Sequence, residues 1–216
     1  MIKMDETVLG FQLRLPPNEL QAWDSQRRTT YLLGEELLSP LSVDTAVWPE
    51  SNDHKRLAEV FEDFSPLPNS APNGLGLYSV KSEEILRQTT EARDSVLIGI
   101  SVTDNVAKAL QSQHHLRHLT SLVELSSKGW IELGYDVANW WLMSGLTNCG
   151  YTLKEKAELL GRFSNSINSD GLFASVHAAR EFGNYCNARF VQHAPFEAYG
   201  IWCRDKIAVR RPPGFR

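Results

Sequence analysis

The sequence predicts an α/β or α+β fold, a small central sheet of about four strands covered by helices in a single domain. Three observations carry that expectation. Leu9, Phe11, Leu13 and Leu15 near the start, and Phe196, Ala198, Gly200 and Trp202 near the end, each repeat with the period of two that a half-buried strand requires. The segment VLIGISV at 96–102 is apolar and β-branched almost throughout, the composition of a strand buried on both faces. Between these runs lie segments with apolar residues at i, i+3, i+4 spacing, the signature of helices with one buried face. With 216 residues, 42% of them hydrophobic, the chain is large enough for one substantial core.

The first strand is expected over 8–15, where Pro16 and Pro17 end it. Pro17 suits the first turn of a helix carrying Leu20 and Trp23 to about Arg28. The segment TTYLLGEELLSPLSVDTAVWP reads equally as helix or loop, and Pro40 forbids one continuous helix. Leu57, Val60, Phe61 and Phe64 make the buried stripe of a surface helix. SPLPNSAPNG at 65–74 is then the clearest loop signal and the place for any subdomain boundary. A strand over 75–80, a helix opening at Ser82 with Glu83 and Glu84, and the strand near 95–102 fit a right-handed parallel crossover, with an antiparallel arrangement open. Asp104 as N-cap and Gly129 as C′ residue bracket one long helix, with a possible break at QSQHH. Thr152 and Glu155 form a capping box for a helix bearing Leu153, Leu160, Phe163 and Ile167. Asp170 is expected to cap the next, with Leu172, Val176, Ala179 and Phe182, completing a helical hairpin before the last strand near 195–203.

Composition restricts function. The longest apolar run, Val96–Ile100, falls far short of the roughly 20 residues that span a bilayer. The N-terminus lacks the apolar core of a signal peptide, so a cytoplasmic protein is expected. Three widely separated cysteines, Cys149, Cys186 and Cys203, with no C-x-x-C pair, suggest reduced thiols in place of disulfides or a zinc site. A net charge of −4 offers no extended nucleic-acid footprint and leaves room for a basic partner. Arg204, Lys206, Arg210, Arg211 and Arg216 make the C-terminal tail basic, which reads as a solvated terminus or a contact for an acidic surface. The glycines form neither G-x-x-x-x-G-K-S/T nor G-x-G-x-x-G, so no cofactor is expected. His114 and His118 have the i, i+4 spacing of helical metal ligands but no acidic third ligand nearby, and no metal site is assigned.

The richest stretch is WIELGYDVANWWLMSGLTNCGY, Trp130–Tyr151, with three of the six tryptophans. Its polar residues lie among large apolar ones, where each buried carboxylate or amide needs a partner. Asp136, Asn139 and Asn148 are therefore read as a structural hydrogen-bonded cluster. Glu132 and Asp136 could serve as an acid–base pair, or bond backbone amides near Gly134. Cys149 or Cys186 with His193 could form a thiolate–imidazole pair, although neither cysteine lies in a nucleophile signature; inert buried thiols are the competing reading. Consecutive Trp140 and Trp141 cannot both face one core, which leaves one ring for a partner surface unless both lodge between two layers. Trp140, Trp141, Trp48 and Glu132 are the candidate partner-binding residues. No catalytic residue is assigned.

GYDVANWWLMSGLTNCGY and the later NARFVQHAPFEAYGIW, Asn187–Trp202, together about a third of the chain, resemble the core of small bacterial immunity proteins encoded beside polymorphic toxins. The resemblance implies a non-enzymatic protein that neutralises a toxin by occluding its active site, the partner presenting a basic face. The alternative is a small hydrolase or transferase using the polar residues of 132–149 and His193.

Overall fold

The alternation of Leu9 and Phe11 with Gly10 and Gln12 lies in β1, Glu6–Arg14, and the VLIGISV run forms β2, Val96–Thr103. The period of two predicts a half-buried β1, but Val8, Gln12 and Arg14 are buried as well as Leu9 and Phe11, so both its faces are covered. In the computed structural model the described residues are 6–14, 29–33, 39–42, 77, 96–114 and 119–204. The remaining elements are α1 (Asp104–His114), β3 (Thr120–Ser121), α2 (Leu122–Ser127), β4 (Ile131–Asn139), α3 (Leu153–Phe163), α4 (Val176–Arg189) and β5 (Phe196–Cys203). Strand order is β3-β1-β2-β5-β4, so the fold is a mixed one of sheet and helices. The expected strand at 75–80 and loop at 65–74 lie outside the described residues, except for the buried Leu77. The helices expected at 17–28 and 52–64 lie outside them as well.

Among the described residues the chain divides into two units, one holding 6–14, 77, 96–114, 119–132 and 199–204, the other 29–33, 39–42 and 133–198. The chain thus passes between units within β4 and again within β5.

In the first unit β1 pairs antiparallel with β2 and with β3, and β2 pairs antiparallel with β5. A bulge between Val8 and Gly10 shifts the register, with Gly10 at φ 151°. Gly99 leaves room for Phe11 and Trp130, whose rings stack at 4.7 Å across it; a Cβ there would lie 3.3 Å from both. Deeper in the sheet the Trp202 indole N–H donates to Ser101 Oγ at 2.9 Å, and that hydroxyl donates to Glu6 Oε2 at 2.9 Å. All three side chains are buried, so the relay satisfies groups that would otherwise be stranded. It fits only because residue 200 is glycine: a Cβ there would come within 2.4 Å of Ser101 Oγ. The helix expected from Asp104 toward Gly129 is broken within the QSQHH run, the place where the sequence leaves a break open. α1 ends at His114, and Thr120–Ser121 is strand, whose Ser121 side chain caps α2 by accepting from Glu124 N. Gly129, at φ 83°, closes α2 as expected, its N–H donating to Ser126 O.

In the second unit the capping box stands as expected. Thr152 Oγ1 accepts from Glu155 N at 3.2 Å, and Glu155 Oε2 accepts from Thr152 N at 2.9 Å. Phe163 is buried and Leu160 and Ile167 pack half-buried against the core as expected, but Leu153 is 86% exposed and Leu159 is buried in addition. The cap of α4 is Ser175, whose Oγ accepts from Ala178 N; Asp170 lies in the preceding turn, where Gly171 takes φ 70°. Asn168 organises that turn, accepting from Asp170 N and Leu172 N and donating to Leu133 O at 2.7 Å. The helices pack through Phe163, Phe173 and Phe182, mutually 5.4–5.8 Å apart, and are tied at their surface by Arg162–Glu181 and Arg189–Glu155 pairs.

Candidate functional site

The first half of the Trp130–Tyr151 stretch is β4, Ile131–Asn139, a strand not among those anticipated. Its glycine explains part of the difficulty: Gly134 takes φ 145°, and a Cβ there would lie 2.7 Å from Phe173 O. The strand survives that interruption because Tyr135 and Phe173 exchange two backbone hydrogen bonds, both 2.8 Å. After Asn139 the chain reverses. Asn139 Oδ1 accepts from Trp141 N at 2.9 Å and Met143 N at 3.1 Å, and its carbonyl accepts from Leu142 N. Leu142 takes the left-handed conformation, φ 56°, to complete the turn. Gly145 N then donates to Val137 O at 2.6 Å, which sets Ser144 beside Asp136.

Asp136 is fully buried. Its Oδ1 accepts from Ser144 Oγ at 2.8 Å and from Val137 N at 2.6 Å, and its Oδ2 accepts from Ser39 Oγ. Each hydroxyl is itself oriented by a backbone donor, Leu41 N on Ser39 Oγ and Leu146 N on Ser144 Oγ, both at 3.1 Å. The carboxylate therefore sits at the centre of a chain of aligned donors, an arrangement that holds a buried charge without exposing it. Asn139 serves its own turn, and half-buried Asn148 accepts from Thr147 Oγ1 at 3.5 Å while its N–H donates to Ser144 O. Glu132 is exposed, in contrast to the sealed Asp136.

Beside this network opens a cleft of about 200 Å³. Phe190, Phe196, Cys149 and Met143 give it an apolar body; Asn139, Asn148, Gln192 and His193 supply amide and imidazole groups. Gly150, Gln192 and His193 are exposed and mark its mouth. Asn187 fixes one wall by a two-point clamp on the backbone of Phe196, donating to its carbonyl at 3.0 Å and accepting from its N–H at 2.6 Å.

Cys149 and His193 thus line the same cleft, as the thiolate–imidazole reading requires, but burial and then the Asp136 charge push the Cys149 thiol from 9.0 up to about 12. It stays protonated at neutral pH and is a poor nucleophile. Cys186 lies in the core, its Sγ 3.8 Å from Tyr151 Oη, and burial raises both groups. All three cysteines are buried, and none of them forms a disulfide. Trp140 and Trp141 are both half-buried, so neither ring is wholly core or wholly surface, and the buried Trp140 Nε1 has no hydrogen-bond partner among the described residues. Trp48 and His118 lie outside the described residues. No helix among the described residues is long and apolar enough to cross a membrane.

The residues that sequence reasoning missed are Ser39 and Asn187. Ser144 was visible as one more polar residue in an apolar run; nothing local to Ser39 or Asn187 signals a partner 97 or 9 residues away. Comparison of the chain with protein-family models, with characterised proteins and with solved structures returned no match.

Proposed function

We propose that this is a non-enzymatic binding protein which neutralises a bacterial toxin by covering its active site, an immunity protein working in the cytoplasm. The observation that carries the reading is the state of the two groups most able to do chemistry: Asp136 is saturated by Ser39, Ser144 and the Val137 amide, and Cys149 is held protonated. Groups spent in this way anchor a surface. Exposed Glu132 in one unit, and half-buried Trp140 and Trp141 in the other, are side chains able to meet a partner, and the chain's net charge of −4 suits one with a basic face.

The test is recovery of the tagged protein from its native cell. A stoichiometric protein partner whose activity is suppressed in the complex is the expected result, with association slowing by about tenfold or more between low and physiological salt. A second reading, hydrolase or transferase, is favoured by the presence of Cys149, His193 and two asparagines around one open cleft. It predicts turnover abolished in a folded Cys149→Ser protein. That result, together with no stoichiometric partner, would overturn the binding reading.

A further inference from the structure

The two most exposed large apolar side chains among the described residues are Leu153, 86% exposed, and Val191, 71% exposed. They are far apart in sequence, but the fold brings their segments to one edge. Tyr151, two residues before Leu153, meets Phe190, one before Val191, edge to face at 5.4 Å. Glu155, two residues after Leu153, pairs with Arg189, two before Val191, at 2.6 Å. The mouth of the cleft, Gly150 on one lip and Gln192 and His193 on the other, belongs to the same two segments. An apolar body with a small polar lip is thus flanked by two leucine- and valine-sized side chains facing water, all within one unit.

We infer that this edge is a docking surface for a protein partner that inserts a single uncharged aromatic side chain, of tyrosine type, into the cleft between Leu153 and Val191. The inference rests on the binding-protein reading above and names the contact it would use. Size limits the insert. A cavity of about 150 Å³ accommodates a benzene ring, whereas sites for whole small-molecule ligands run from about 300 to 1,000 Å³. At about 200 Å³ the cleft takes one ring with a polar substituent. Charge selects its type. Among the described residues no Asp, Glu, Lys or Arg lines the cleft, and charged side chains on the segments beside it are already matched, Glu155 by Arg189 and Lys154 by Glu158. A charged insert would be desolvated without a counter-ion, while a phenol finds the faces of Phe190 and Phe196 for its ring and amide or imidazole groups for its hydroxyl. Leu153 and Val191 would then pack against the residues flanking the inserted one, as the water-excluding rim of a hot spot does.

The full chain, labelled with ¹⁵N, is titrated with p-cresol, n-butylamine and acetate as stand-ins for tyrosine, lysine and acidic side chains. p-Cresol should shift amides at 148–150 and 190–193 and bind at least about tenfold more tightly than either ion. Peptides selected on the immobilised protein should share an aromatic residue, compete with p-cresol, and lose binding to Leu153→Asp and Val191→Asp proteins. Gly150→Leu offers an independent block: among the described residues a Cβ at 150 meets only Thr30 Oγ1, at 3.8 Å, so the backbone tolerates a side chain there that narrows the mouth. It should lose both p-cresol and peptide. No cresol shift, preference for either ion, or peptides that bind all three variants undiminished would overturn the inference. So would cresol bound in the cleft with selected peptides elsewhere, which would make this a small-molecule site. If a native partner is recovered and binds Gly150→Leu normally, the docking site is wrong while the binding-protein reading stands. If none is recovered, that reading fails.

Discussion

Replacing Asp136 by alanine tests the centre of the second unit most directly. The substitution strands three donors, Ser39 Oγ, Ser144 Oγ and Val137 N, in a site with no solvent access at Asp136, Ser39 or Ser144. An unsatisfied buried donor costs about 1–3 kcal/mol. The hydroxyls can rotate toward other acceptors, and removal of the charge relieves its desolvation, so the losses do not add in full. The expected destabilisation is therefore about 3–5 kcal/mol, the low end of the sum for three stranded donors. For a chain of this length that lowers Tm by roughly 6–20 °C. Asp136→Asn keeps the shape and one acceptor oxygen, and its new amide can donate to a seryl oxygen, so it should lose clearly less. Differential scanning calorimetry, with urea denaturation to separate ΔG from the slope, reads both. If Asp136→Ala melted within 2 °C or so of the parent, the hydrogen-bond network would not be holding the hairpin, and Asp136 would have to be reconsidered as a functional group.

Other expectations follow from separate features. Gly134→Ala places a side chain at φ 145° and 2.7 Å from Phe173 O, so it should cost at least about 2 kcal/mol in denaturant midpoint measurements; a neutral result would mean that β4 readily shifts. Cys149, with its thiol up at about 12, should alkylate with iodoacetamide at pH 8 at least about a hundredfold more slowly in the native than in the unfolded protein; equal rates would restore a reactive cysteine. Because that thiol is raised on folding, its contribution to stability is complete below pH 9.0 and declines as pH rises toward about 12. Glu155 behaves oppositely. The Arg189 guanidinium, followed by the Thr152 amide and hydroxyl, holds its carboxyl near 2, below 4.5, so the stability it confers is present above pH 4.5 and lost as pH falls toward 2. A Glu155→Ala protein should therefore converge on the parent in melting temperature by pH 2, and the gap at neutral pH should shrink in high salt because the pair is solvent-exposed; a gap that persists at pH 2 would assign it to packing.

What the sequence determined by itself was local. Period-two alternation placed β1 and β5, an unbroken apolar run placed β2 at the middle of the sheet, and the T-x-x-E box placed the start of α3, because each signal is written in neighbouring residues. The burial of Asp136, Asn139 and Cys149 was also foreshadowed by their apolar surroundings. Tertiary structure alone decided the partners. Ser39 reaches Asp136 across 97 positions, and Trp202 reaches Ser101 across 101. β4 escaped notice because Gly134 breaks its pattern and its pairing with Phe173 comes from 38 residues downstream (173 − 135). The cap of α4 went to Ser175 in preference to Asp170 because Asn168 had already committed the intervening chain to a turn. The cleft has the same origin: the 148–150 and 190–193 segments meet through the Tyr151–Phe190 ring contact and the Glu155–Arg189 ion pair between α3 and α4, and no single window of sequence contains both sides. Periodicity reports which face of an element is apolar, whereas a site depends on which elements meet, and that is settled only when packing chooses among the pairings the local pattern allows.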